Sequence, residues 1–330
     1  MFLTGEPAGL ARAGDFDDNA PVNGASALRP RALGPGARVA LVAPAGPLDP
    51  SRIERSADRC RSLRLEPVIF PSAAARHRYL AGTDAQRLAD LQAAFDDPAI
   101  DAVWALRGGY GTTRLLQRLD LGRQLRAPIP FIGFSDNTAL HVRHAALNVV
   151  SFHGPHPGGD FPPETERAFR RALFSAEPAG VLAPRAVDPR PRTLVSGSAE
   201  APLVGGNLSM LATLCGTRDS PSASGRILFL EEVGEPAYRV DRLLVQLERA
   251  GVVDGVAGLA FGRFTDPPAD DEHSVGDVVL EFAERIGVPA VADLPFGHIE
   301  HNCTLPVGGA ALLDADAASL ALTEPAVARR

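Results

Sequence analysis

The sequence predicts an α/β protein of two domains, the first built on a doubly wound parallel sheet. Three observations predict it. The chain has 330 residues, beyond the length at which a single core usually stops growing. From Arg38 onward, short apolar runs alternate with helical stretches, the pattern of βαβ units. Between His153 and about Ser198 the sequence turns rich in Pro, Gly and Arg, marking a connection between two bodies. The boundaries follow: a flexible tail over 1–36, an N-terminal α/β domain over 37–155, a linker over 156–200 and a C-terminal domain over 201–330.

Val39 to Ala43 is the first predicted strand. Ile53, Ala57, Cys60 and Leu63 then recur at spacings of four, three and three behind Pro50-Ser51, giving the apolar stripe of a crossover helix. Val68 to Phe70 reads as strand two, Asp84 to Phe95 as a helix, Ala102 to Leu106 as strand three and Ile129 to Gly133 as strand four. In the second half, apolar runs resume at Arg226–Leu230, Gly258–Phe261, Val288–Ala292 and Ala310–Leu313, with helices near Leu208–Leu214 and Tyr238–Ala250. Gly-rich turns such as Gly308-Gly309 join the late runs, so part of this smaller domain's sheet is expected to be antiparallel, mixed or barrel-like.

Composition narrows the function. With 45% hydrophobic and 22% charged residues the chain is of ordinary globular type, and no run approaches the roughly 20 apolar residues of a membrane span. A net charge of −7 argues against nucleic acid or an anionic membrane as partner. Cys60, Cys215 and Cys303, odd in number and far apart, suggest neither disulfides nor a metal site and fit a reducing, cytoplasmic setting. Residues 1–36 lack the apolar region of a signal peptide.

The chemistry is expected at Pro130-Phe131-Ile132-Gly133-Phe134-Ser135-Asp136-Asn137, an apolar strand running into a Gly-x-Ser turn and then a helix. A serine in such an elbow projects as a nucleophile, and the N–H of Asp136 behind it can donate to a developing oxyanion. Asn137 replaces the second glycine of G-x-S-x-G, and a serine that merely caps the helix is the alternative. Strand three ends in Arg107-Gly108-Gly109-Tyr110-Gly111, on the same rim, where Gly109 could supply a second oxyanion donor. A phosphate cradle there would want G-x-G-x-x-G or a following Lys-Ser/Thr, and neither is present.

Serine needs a general base. His141 and His144, one turn apart, read as a solvated or packing pair; His153 and His156 form H-x-x-H without an acidic ligand beside them; His77 and His273 sit in polar surroundings. His298 and His301, in a loop between two apolar runs, remain. The orienting acid is sought where Ile227–Leu230 ends in Glu231-Glu232, and the strand-end position favours Glu231 because successive side chains face opposite ways.

These residues carry a resemblance. VALVAPAGP from Val39, ALRGGYG from Ala105, FIGFSDNTALH from Phe131, GGNLSML from Gly205, LFLEEVGEPAYRVDRLL from Leu228 and GHIEHNCTLPVG from Gly297 resemble, in order, the LD-carboxypeptidase family, which includes the microcin self-immunity peptidases. The resemblance implies a flavodoxin-like or amidotransferase-like N-terminal domain, a Ser135–Glu231–His298 triad and an oxyanion hole from Gly109 and Asp136. It also implies a homodimer and no metal or organic cofactor. Its choice of His298 over His301 goes beyond what the residues alone decide. The implied reaction cuts the bond before a terminal D-Ala in murein tetrapeptides during cell-wall recycling, with Arg107 and Asn207 as candidate substrate contacts. The microcin branch needs an aromatic platform in the connecting region; here the one Trp, Trp104, lies in strand three, leaving the neighbourhood of Phe152, with Phe161, Phe169 and Phe174, as stacking surfaces. The competing readings are a microcin-type peptidase, another serine amidohydrolase and a non-catalytic module that binds a small anion.

Overall fold

Strand β1 (Arg38–Val42) places four buried apolar residues behind one half-buried arginine, and a run apolar on both faces belongs inside a covered parallel sheet. The computed structural model describes residues 26–182, 188–267 and 274–330. Helix α1 (Pro50–Ser62) starts with its proline where a missing N–H is harmless and turns Ile53, Ala57 and Cys60 inward. It leads to β2 (Glu66–Ile69), parallel to β1. Helix α2 (Asp84–Asp96) opens on a reciprocal Thr83–Gln86 capping box and carries the chain to β3 (Ala102–Ala105), on the other side of β1. Strand β4 (Phe131–Gly133), helix α3 (Thr138–Ala146) and strand β5 (Ser151–His153) complete the series. The parallel order β2-β1-β3-β4-β5 reverses direction between β1 and β3, the doubly wound, flavodoxin-like arrangement whose ligands gather at the carboxyl ends of the strands.

The connection holds more structure than its composition suggests. Helix α4 (Pro163–Phe174) buries Phe169, Ala172 and Leu173, and Phe169 stacks on Trp104 with ring centroids 4.7 Å apart. Short strands β6 (Gly180–Val181) and β7 (Arg192–Val195) follow, then the long β8 (Ser198–Asn207). Helix α5 (Leu208–Leu214), strand β9 (Ile227–Val233), helix α6 (Ala237–Arg249), strand β10 (Gly258–Thr265), helix α7 (Val275–Ile286) and strand β11 (Ala290–Ala292) form the centre of the second body. Strands β12 (Leu305–Val307), β13 (Ala310–Asp314) and β14 (Ser319–Leu322) end it. The sheet order is β6-β14-β13-β8-β9-β10-β11-β7. Its β8-β9-β10-β11 centre is parallel, and antiparallel strands flank it on both sides. It is therefore mixed and open, with β6 and β7 as edges among the described residues.

Two features tie the bodies together. Strand β12 leaves the second body and pairs antiparallel with β5, Leu305 opposite His153, as the outer strand of the first sheet. One apolar core runs continuously from Ala40, Val103 and Phe131 to Phe229, Phe261 and Leu313. Residues 26–36, expected within a flexible tail, also lie against the body: the Leu28 N–H donates to the Asn148 carbonyl, the Ala32 N–H donates to the Ala328 carbonyl, and Leu33 is buried. Among the described residues no helix is long and apolar enough to cross a membrane.

Candidate active site

The first sheet delivers Ser135 in a constrained backbone. Strand β4 ends at Gly133, and Ser135 begins a 3-10 turn with φ of +62°, a left-handed conformation that costs a non-glycine residue about 1–3 kcal/mol. The surroundings hold it there. Asn137, standing where a glycine was missing from the motif, donates from Nδ2 to the Arg107 carbonyl (3.2 Å) and the Phe134 carbonyl (3.1 Å), bridging the elbow to the loop after β3. The buried Asp136 carboxylate accepts from the Thr112 N–H at 2.9 Å and locks the far end of that loop. Burial pushes the Asp136 carboxyl pKa up, against the pull of its bonds to Thr112 and Gly111. The Asp136 N–H lies in the first turn, whose N–H groups have no intrahelical partner, and is free in that sense to face a developing negative charge.

Gly108 closes the contact between the two loops. A Cβ there would stand 2.8 Å from Ser135 Cβ, 2.9 Å from its Oγ and 3.2 Å from the Asp136 nitrogen. Only a residue without a side chain lets this backbone approach the serine. Gly108→Ala is therefore expected to displace the nucleophile and slow serine acylation at least about 100-fold, read as the rate of labelling by a fluorophosphonate. Labelling at the wild-type rate would show that the loop can yield.

The second sheet brings the other partners. Glu231, the fifth residue of β9, is fully buried, and its Oε2 accepts from His298 Nδ1 at 2.6 Å. Glu232 faces the other way, accepting from Asn207 Nδ2 (2.9 Å) and from the Ser209 N–H (2.7 Å). The His298 loop passes tightly over Glu231 at Gly297, which has φ of +115° and room for no Cβ, since one would lie 2.9 Å from that of Glu231. His298 rests on the ring of Phe134, the residue before Ser135, with centroids 4.9 Å apart. Burial alone would lower the imidazole pKa, but the hydrogen bond and charge of Glu231, with Glu232 and Asp266 beyond, leave it raised.

The remaining histidines separate by environment. His301 turns away, lining a cavity of about 580 Å³ with Arg263 and Asp293. His141 is a packing residue: Nδ1 meets Ser151 Oγ and Nε2 meets the Gly133 carbonyl, both at 2.8 Å, and burial holds its pKa near 3. His144 is buried likewise, bonded to the Leu140 carbonyl at 2.7 Å. His77 pairs its backbone with Leu80, and His273 lies outside the described residues. His153 and His156 do come to the site. His153 is fully buried between Phe134 and Phe229, and the His156 ring lies 4.3 Å from that of Phe134, with Nε2 3.4 Å from Asn137 Nδ2. Burial drives the pKa of both well down, so both are neutral rings.

Of the two candidate substrate contacts, Arg107 is half-buried beside Gly109 and donates to the Gly108 and Pro47 carbonyls. Asn207 is committed to the fold: its Oδ1 accepts from the Met210 N–H and caps α5, and its Nδ2 holds Glu232. Among the described residues no group of three or more His, Cys, Asp or Glu is placed to hold a metal ion. Trp104 is fully buried, its indole N–H donating to the Pro155 carbonyl, and Phe152, Phe161 and Phe169 are buried as well.

The arrangement has the parts that acyl-transfer chemistry requires. The sequence matches the LD-carboxypeptidase N-terminal domain over residues 39–154 and the LD-carboxypeptidase C-terminal domain over 200–313. It is 38% identical to the murein tetrapeptide carboxypeptidase of Pseudomonas aeruginosa over 285 residues, 84% of this chain and 93% of that one. Among solved structures, the muramoyltetrapeptide carboxypeptidase of Oxalobacter formigenes superimposes with a TM-score of 0.77 at 31% identity, covering 88% of this chain and all of that one. A microcin C7 self-immunity protein shares the fold, with a TM-score of 0.82 at 23% identity over 91% of this chain and all of its own. With both domains matched in order along one chain, the protein belongs to the LD-carboxypeptidase family.

Proposed function

We propose that the protein is a serine LD-carboxypeptidase that hydrolyses the bond between an L-configured centre and the terminal D-Ala of murein tetrapeptides. The observation that supports the reading is a His298–Glu231 pair bonded at 2.6 Å whose imidazole lies against Phe134, the residue before a serine held in a left-handed elbow. In this reading His298 keeps its proton on Nδ1, toward Glu231, so Nε2 is the basic atom that accepts the Ser135 proton as Oγ attacks the scissile carbonyl. The N–H groups of Gly109 and Asp136 receive the oxyanion, and the start of α3 adds a favourable dipole. His298 then returns the proton to the departing amine of D-Ala, and water resolves the acyl-enzyme by the same steps reversed.

The substrate choice is supported by what the connecting region lacks. Phe152, Phe161 and Phe169 are packed into the core with Trp104, and the half-buried Phe174 lies against Phe169 with the Arg170 guanidinium 5.3 Å from its ring centroid, so none of the four is an open platform for a nucleotide-like group. With the family resemblance go a cytoplasmic role in recycling cell-wall peptides and a homodimeric state. Two tetrapeptides that differ only in ending with D-Ala or L-Ala test the specificity: the terminal residue should be released from the first and not from the second. Release of L-Ala at an equal rate would contradict the reading.

The His298 environment fixes a pH dependence. The base works only when neutral, and its pKa lies above the ordinary value of about 6.5, so kcat/KM should fall with one-proton slope as pH drops through a midpoint above that value. In Glu231→Gln the charge that raises the pKa is gone and burial acts unopposed, so the residual activity should show its midpoint at lower pH. A midpoint that stays put or rises would remove Glu231 from its assigned place.

A further inference from the structure

Two guanidinium groups, those of Arg107 and Arg52, act on one another beside the loop that carries Gly108 and Gly109, and the exposed Asp49 carboxylate offsets less of the Arg107 charge than Arg52 opposes. Among the described residues neither Arg52 nor Arg107 forms an ion pair, in a chain where most other buried or half-buried arginines near the first sheet do: Arg87 pairs with Asp84 and Arg143 with Asp219. Arg107 spends Nε and Nη1 on the Gly108 and Pro47 carbonyls, while Nη2 lies 3.6 Å from the point where a Cβ of Gly109 would sit and has no partner. Arg52, one turn into α1, has an Nε that is shut off from solvent and unbonded. The two charges act on each other and on His156, which is also within the electrostatic reach of His298. Like charges held close in a half-buried place are costly, and an anion bound between them would relieve both repulsion and desolvation.

We propose that Arg52 and Arg107 together form the seat of the substrate's terminal carboxylate, on the leaving-group side of Ser135. The inference deepens the carboxypeptidase reading and rests on it for the identity of the anion. Arg107 directly precedes Gly108, which touches the serine, and Gly109, the assigned oxyanion donor, so an anion at Nη2 lies within one residue of the scissile carbonyl. That is where the carboxylate of a C-terminal residue must be, and the guanidinium fork matches a carboxylate in plane and spacing. The neutral His156 ring, packed on Phe134 and within reach of both arginine charges, adds no third charge. Such a seat makes the enzyme remove one terminal residue, since a longer chain would place an uncharged amide against two arginines.

The test uses the Ser135→Ala protein, titrated calorimetrically with a murein tetrapeptide and with the same peptide as its C-terminal carboxamide. The acid should bind roughly 10- to 100-fold tighter than the amide. Adding Arg52→Gln should collapse that ratio toward unity, and Arg52→Lys should keep part of it. Equal binding of acid and amide, a loss that Arg52→Gln imposes on both alike, or no binding of either would overturn the proposal. If the ratio is present but the wild-type enzyme releases no D-Ala, the seat stands and the reaction assigned to it falls. If D-Ala is released and the ratio is flat, the reaction stands and the seat falls.

Discussion

Ser135→Ala is expected to lower turnover by about 10⁶-fold while leaving the fold intact. The serine hydroxyl sits on a residue that is half-buried and makes no hydrogen bond that the core depends on, and alanine fits the same backbone with less bulk. Removal of the nucleophile eliminates the acyl-enzyme, so residual catalysis could come only from the oxyanion donors and from binding. Wild-type protein should react with one equivalent of a serine-directed phosphonate at Ser135 and lose activity in proportion, and the alanine variant should take up none. Unchanged turnover, or labelling spread over several serines, would indicate a module that binds its ligand without catalysis.

His298→Ala should cost roughly 10⁴–10⁶-fold in kcat, because neither His153 nor His156 can replace it. Both are neutral rings near the elbow, but among the described residues no carboxylate bonds to either of them, and burial disfavours the imidazolium that a general base must become. Among the described residues, His298 alone has a buried carboxylate bonded to its Nδ1. His301→Ala is the matched comparison, since that side chain lines the cavity on the far side of the same loop. A dead His301→Ala enzyme beside an active His298→Ala enzyme would reverse the assignment.

What the sequence could and could not convey follows from the range of the interactions involved. The elbow was legible because everything that makes it is local: an apolar strand, a Gly-x-Ser turn and a helix within a dozen residues. The opposite facing of Glu231 and Glu232 follows from the two-residue period of a strand. The choice between His298 and His301 was not legible from the residues, because both sit in one loop and only the fold decides which faces β9. Helix α4 was hidden because Pro162 and Pro163 read as breakers, although proline at a helix start is favourable and Phe169, Ala172 and Leu173 keep helical spacing. Strand β8 was missed for another reason: Ser198-Ala199-Glu200 is its exposed polar entry, and Gly205 and Gly206 sit where strand propensity is poor. Arg52 looks like any solvated residue on a charged helix, and nothing in the sequence shows that its charge reaches Arg107. His156 likewise reaches Phe134 through the turn that follows β5, and the H-x-x-H spacing gave no hint of it.

Asn137 gives the most specific lesson about motif reading. The glycine missing from G-x-S-x-G suggested a weaker elbow, yet the asparagine amide ties the elbow to the very loop that carries Gly108 and Gly109. The substitution exchanges close helix–strand packing for a hydrogen-bonded bridge between two loops.

The central claim is that Ser135 catalyses release of D-Ala from an L,D-linked peptide, and mass-spectrometric detection of free D-Ala from a murein tetrapeptide tests it most directly, with wild type and Ser135→Ala side by side. Release by the wild type alone is the predicted result. Equal release by both proteins, or release by neither, would contradict it.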